Sequence, residues 1–98
     1  MITATITTDK YEIKKTHHIK SLSNIRLIVP KNWDVDYVNI MLWEEDIAKI
    51  KNNDDGTFEI IVPMCGEIFL KKVIKDDRRH YVLLPKRYDE EQVLILPI

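Results

Sequence analysis

Few residues in this 98-residue chain are of a type that does chemistry, and most of them are poorly placed for it. Adjacent His17 and His18 suggest a metal site. Neighbours on a strand point to opposite faces, however, and no cysteine or acid stands at ligand spacing, so both read as solvated or packed histidines. Cys65 is alone, which leaves no disulfide framework and no zinc quartet. It lies in Pro63-Met64-Cys65-Gly66, where nothing lowers a thiol pKa, and it reads as a small buried hydrophobe. The acidic pairs Glu44-Glu45, Asp54-Asp55 and Glu90-Glu91 fall in linkers or turns, away from any cleft that acid–base catalysis would need. Two glycines are too few for a glycine-rich phosphate loop. No enzyme motif survives, and a non-enzymatic protein without metal or cofactor is expected.

Charge is the more informative chemistry. The formal net charge is −1, but the basic residues are segregated. Residues 13–33 hold Lys14, Lys15, Lys20, Arg26 and Lys31 with no acid, a window of +5. Residues 68–88 hold Lys71, Lys72, Lys75, Arg78, Arg79, Lys86 and Arg87 against Asp76 and Asp77, again +5. Two such windows on one side of a molecule make a surface able to neutralise phosphates. Solvated strand faces and edge protection also use lysine, so the pattern alone leaves both readings open.

The elements that must carry these residues read as strands. Leading strands fall at Ile2–Thr8 and Thr57–Val62. Tyr11–Lys20 and Gly66–Lys75 are rich in β-branched and aromatic residues, with basic residues between apolar ones. Polar turns follow at Ser21–Asn24 and Asp76–Arg78. The apolar runs Ile25–Val29 and Arg79–Leu84 come next, each stopped by a proline, which cannot continue a ladder and opens a short helical turn. Trp33 and Tyr88 lie in those turns and read as packing onto the core rather than stacking on bases. Final strands are expected at Tyr37–Trp43 and Gln92–Pro97. Between the two sets, Glu44–Lys51 suits about two helical turns with Ile47 and Ile50 on one side. Asn52–Gly56 is a turn signal.

This order of elements is written twice. With an offset of 55 and no gaps, 10 of 43 aligned positions are identical, where composition alone gives about three. Glu12-Ile13 meets Glu67-Ile68, Ile19-Lys20 meets Ile74-Lys75, and Ile6 meets Ile61. Pro30, Lys31, Asp34, Val38 and Ile40 meet Pro85, Lys86, Asp89, Val93 and Ile95. One domain is therefore expected over 1–98, built from repeat 1 (1–43), a linker (44–55) and repeat 2 (56–98). Its composition is 45% hydrophobic and 32% charged, which is that of a globular chain with one small core. No apolar run approaches the roughly 20 residues of a spanning helix, and Met1–Thr8 lacks the features of a signal peptide. A soluble cytoplasmic protein without membrane contact is expected.

From Lys20 through Arg26, Val29, Pro30, Lys31 and Trp33, followed by the strand Val38–Leu42, the chain resembles the AbrB/MazE/SpoVT swapped-hairpin superfamily. The similarity is greatest to its short archaeal, transposon-encoded AbrB-like members. Their pattern runs Lys-x-Gly-Asn-Ser-x-Arg-hydrophobic-x-Val-Pro-Lys-x-Trp. Residues 11–43 carry the resemblance and 66–97 repeat it more weakly. Leu22 and Ile25 depart from the small turn residues, and the second copy has Asp76-Asp77-Arg78-Arg79 there. In that superfamily two protomers interleave hairpins, so two fused copies imply an all-β swapped-hairpin, AbrB-like or double-psi-like barrel made from one chain. The resemblance implies a small DNA-binding protein, a transcriptional regulator whose partner is double-stranded DNA, with further homo-oligomerisation open. Lys14, Lys15, Lys20, Arg26, Lys31, Lys71, Lys72, Lys75, Arg78 and Arg79 are the candidate contacts, with Arg26 and Arg78 as the base readers. The alternative is a non-enzymatic interaction module, antitoxin-like or an adaptor barrel. An interleaved rather than continuous charge pattern would favour it.

Overall fold

A run such as Val93-Leu94-Ile95-Leu96, apolar at every position, is satisfied only by a strand buried on both faces. The computed structural model, which describes residues 2–63 and 68–98, places that run at the centre of the molecule. The chain is all-β. Its strands are β1 (Thr3–Thr8), β2 (Glu12–Lys15), β3 (Ile25–Val29), β4 (Tyr37–Leu42), β5 (Lys49–Asn52), β6 (Phe58–Pro63), β7 (Ile68–Lys72), β8 (Ile74–Lys75), β9 (His80–Leu84) and β10 (Gln92–Pro97). Short 3-10 turns follow the two strand-ending prolines at Lys31–Trp33 and Lys86–Tyr88.

Three sheets form, in the orders β1-β6-β5, β2-β10-β4-β7 and β3-β9-β8, with every pairing antiparallel. The four-stranded sheet separates two cores. Val38 and Ile40 of β4, with Val93 and Ile95 of β10, meet Ile25, Leu27, Val29, Val82 and Leu84 from the β3–β9 pair. Met41, Leu94 and Leu96, on the opposite face, meet Ile60 and Val62 of β6. Alternation along β4 and β10 thus feeds two layers at once. Tyr88 is buried in the first core against Phe69, ring edge to ring face at 5.2 Å, and Trp33 packs partly buried on the same cluster.

Among the described residues, every ladder partner of the first copy's strands lies in the second. β1 pairs with β6, β2 with β10, β3 with β9, and β4 with both β10 and β7. Within β3/β9 and β4/β10 each copy faces its own counterpart. Leu27 sits opposite Val82 and Ile40 opposite Ile95, each pair being equivalent positions of the two repeats. That is what a local two-fold axis between paired strands requires.

The gapless alignment fails ahead of β3. Lys15 pairs with Gln92, whereas Tyr37, the counterpart of Gln92, pairs with Lys72. The equivalent of Lys14-Lys15 is therefore Lys71-Lys72, an offset of 57. The next residues agree, since Thr16 N–H donates to Glu91 O and Val73 N–H to Asp36 O, both at 2.8 Å. A two-residue slide preserves which face each side chain occupies, which makes it tolerable. Ile6 and Ile61 are not equivalent either. Ile6 lies opposite buried Ile60 on the inward face, while Ile61 lies opposite Thr5 on the outer one.

Two elements differ from expectation. Glu44–Lys51 forms no helix. A turn at residues 45–47, held by Ala48 N–H to Glu44 O at 2.7 Å, leads into β5 on the edge of β6. Ala48 and Ile50, two apart, both face the second core, and this period-two burial prevails over the Ile47/Ile50 spacing. The 53–56 turn then reverses the chain through Gly56 at φ +89°, a conformation that suits glycine. The Tyr11–Lys20 strand is shorter than its pattern suggests. After Lys15 the backbone leaves the ladder to bond with 88–91. Cys65 and the start of Gly66–Lys75 lie outside the described residues. No helix among the described residues is long and apolar enough to cross a membrane.

Candidate nucleic-acid interface

Strand parity decides what the β3–β9 pair shows to solvent. Ile25, Leu27 and Val29 point inward with His80, Val82 and Leu84, so Arg26, Ile28, Tyr81 and Leu83 point outward. The Arg26 guanidinium lies over the Tyr81 ring, 5.2 Å from its centre, in a cation–π contact. Beside it opens a cleft of about 350 Å³ lined by Lys14, Lys15, His17, Arg26 and Arg79 over a floor that includes Leu27 and Ile28. No carboxylate is among its lining residues.

The cleft unites cations from both repeats. Arg26 comes from the first copy and Arg79 from the second. The hairpin tips Ser21–Asn24 and Asp76–Arg79 stand at opposite ends of the β3–β9 ribbon, because Ile25 pairs with Leu84 and Val29 with His80. Arg26 leans across Tyr81 toward the second tip. In the repeat alignment the counterparts of Arg26 and Arg79 are Tyr81 and Asn24. The two ends of the ribbon therefore differ in their arginines, while Lys14-Lys15 keep cationic equivalents in Lys71-Lys72.

Several candidates carry carboxylate partners that a linear window cannot show. Lys14 Nζ lies 3.1 Å from Glu12 and donates to Ile28 O at 2.9 Å. Lys15 lies 3.1 Å from Glu90, whose other oxygen is 2.9 Å from His17 Nδ1. Those contacts, the His17 hydrogen bond first, hold the Glu90 carboxyl below its ordinary value. Lys75 is the most fully engaged, 3.0 Å from Asp36 and 3.7 Å from Asp34. The Asp36 hydrogen bond raises its pKa. Among the described residues no ion pair involves Lys20, Arg26, Lys31, Lys71, Lys72, Arg78 or Arg79. Lys71 lies over the Phe69 ring at 5.7 Å.

Asp76 organises the second tip through its backbone. Its Oδ1 accepts the N–H groups of Arg78 at 2.8 Å and Arg79 at 2.7 Å, and these bonds lower its pKa. The carboxylate fixes the turn and leaves both guanidinium groups projecting, while lending some negative field to Arg79 and Arg26. A comparison with known family models, curated proteins and solved structures finds no match to this chain.

The neighbouring histidines serve structure. His18 Nε2 meets Leu22 O at 2.8 Å and its backbone N–H donates to Asp89 at 2.6 Å. No group of three or more metal-ligating side chains gathers among the described residues. Tyr81 is the residue that sequence reasoning passed over. Its signal was present, an aromatic at an outward position of a strand facing an arginine strand, but the pairing had to be known first.

Proposed function

We propose that this chain is a small DNA-binding protein, a transcriptional regulator, that grips double-stranded DNA with the outer face of β3–β9 and the basic hairpin ends beside it. The cleft shared by Arg26, Arg79, Lys14, Lys15 and His17 carries this reading. Cations from separate parts of the sequence converge there on an open surface with no acid in its lining. Arg26, Arg78 and Arg79 are the groups for bidentate contact with phosphate or guanine. Lys20, Lys31, Lys71 and Lys72 supply further phosphate contacts. The interleaving of the copies supports a pseudo-dimeric swapped-hairpin barrel acting as one domain.

Binding to duplex DNA measured by fluorescence anisotropy across a salt series tests it. With about four to six phosphate contacts, log affinity should fall against log salt with a slope near −4 to −5. A slope near zero, or no binding at low salt, removes the reading. A non-enzymatic protein-interaction module is the second reading. It is favoured by the ion-paired state of Lys14, Lys15 and Lys75 and by apolar side chains exposed on β7.

A further inference from the structure

Three pairs of equivalent positions lie on the face of the four-stranded sheet that looks toward β1-β6-β5. Ile13 and Leu70 are equivalent, opposite Leu94 and Asn39, and Tyr11 and Ile68 lie two residues before them. Trp43 and Ile98 are equivalent, donating their N–H groups to Gln92 O and Tyr37 O. Tyr11, Ile13 and Trp43 pack on the second core. Their counterparts do not. Ile68 is 60% exposed, Leu70 63% and Ile98 64%.

The first set shares its cluster with Ala48 and Ile50 of β5 and its approach, with Ile60 and Val62 of β6 and with Ala4 and Ile6 of β1, and the Tyr11 ring meets Phe58 of β6 at 5.0 Å. β5 sits on the outer edge of β6. β1 is the other partner of β6 in that sheet, and among the described residues its outer edge carries no strand. That edge, Thr3-Ala4-Thr5-Ile6-Thr7-Thr8, lacks the charge, proline or bulge that usually guards an exposed edge.

We propose that the chain forms a two-fold homodimer in which β1 pairs antiparallel with β1 of a second copy. Each copy's β1, whose Ala4 and Ile6 are only partly buried on its own second core, then extends toward the other's Ile68, Leu70 and Ile98. A second copy fits because one symmetric contact supplies the missing strand to both molecules and joins two three-stranded sheets into one of six. The alternation matches as well. Ala4 and Ile6 face the core side, Thr3, Thr5 and Thr7 face out, and cross-strand threonine pairs are favourable. Ile2, 78% exposed at the head of β1, shares the parity of Ala4 and Ile6 and finds cover in the same contact. Four large apolar side chains and a six-residue edge from each copy reach the roughly 1,000 Å² total that a specific interface needs. The β3–β9 face lies on the opposite layer, so this contact stands independently of the DNA reading.

Sedimentation equilibrium of the full chain and of Leu70→Glu, with amide hydrogen exchange on β1, tests it. The native chain should sediment as a dimer with slowed exchange along Thr3–Thr8. Leu70→Glu, a change at an exposed position, should keep the far-ultraviolet spectrum, weaken association at least about tenfold and release the β1 amides. A native chain that stays monomeric across the concentration range overturns the proposal. So does a dimer that Leu70→Glu leaves intact with β1 amides still exchanging freely.

Discussion

From β3 onward the two copies keep one register, and ahead of it they do not. Pro30, Lys31, Asp34, Val38 and Ile40 match identical residues one repeat later, and β4 faces its own counterpart β10 across the sheet. The earlier identities at Ile6, Glu12, Ile13, Ile19 and Lys20 do not mark equivalent positions, because β7 is offset by two residues and Ile6 and Ile61 face opposite sides of their sheet. Strands paired across a two-fold axis constrain each other, since a change of register in one must be answered by the other. Strands β2 and β7 each sit at an edge of the four-stranded sheet and were free to slide. The same freedom let buried Thr16 stand where its counterpart is Val73, and Glu12 where its counterpart is Phe69.

The largest effect is expected when the two copies are separated. Residues 1–50 and 51–98 expressed apart should each lack a cooperative unfolding transition, and mixing them should restore one. Two independently folded, non-associating halves would show that the interleaving is dispensable. A smaller effect is expected at the Thr16/Val73 pair. The Thr16 hydroxyl donates to Tyr88 O and accepts the Glu91 N–H, in a site the rest of the molecule buries. Thr16→Val should cost about 1–3 kcal/mol in urea unfolding by stranding those groups. Val73→Thr places a hydroxyl in the first core and should cost a similar amount.

Next comes the ribbon of β3 and β9. Arg26→Ala should weaken DNA binding by about 1–3 kcal/mol, and Arg79→Ala should act at the same half-site, because both line one cleft. Tyr81→Ala should cost less, acting through the posture of Arg26. Losses assigned to opposite half-sites, read by footprinting on half-site-swapped DNA, would restore a symmetric division between the tips. The smallest effect belongs to Glu90. Its folded-state pKa lies below the ordinary 4.5, so its bonds to His17 and Lys15 stabilise the fold above that pH. The contribution is lost as pH falls through the lower folded value. Glu90→Gln should flatten that acid limb of the stability profile and, by releasing Lys15, tighten DNA binding slightly at neutral pH.

Local signals served the fold well where one strand's own pattern decided its fate. The prolines at 30 and 85 end β3 and β9, and the unbroken apolar run at 93–96 becomes the doubly buried β10. They failed at residues 49–52, where the neighbouring β6 edge converts a plausible helical face into a strand. The candidate site was legible in its cations and not in its acids. Glu90 reaches Lys15 from the other repeat, and Asp36 reaches Lys75 in the same way. Charge windows along a chain cannot register partners that arrive by strand pairing, and the convergence of Arg26 with Arg79 was hidden for the same reason.

Interleaving also bears on how the protein is made. When the chain has left the ribosome only as far as Leu42, β1, β2, β3 and β4 have, among the described residues, no ladder partner in the part already synthesised. The last of those partners, β10, ends one residue before Ile98. At the usual pace of about 5–20 residues per second, the nascent strands wait seconds with their hydrogen-bonding groups unclaimed. Contacts so distant in sequence also make the subsequent search slow. The threonines and lysines scattered through the first repeat keep that waiting chain hydrated until the second repeat arrives to pair with it.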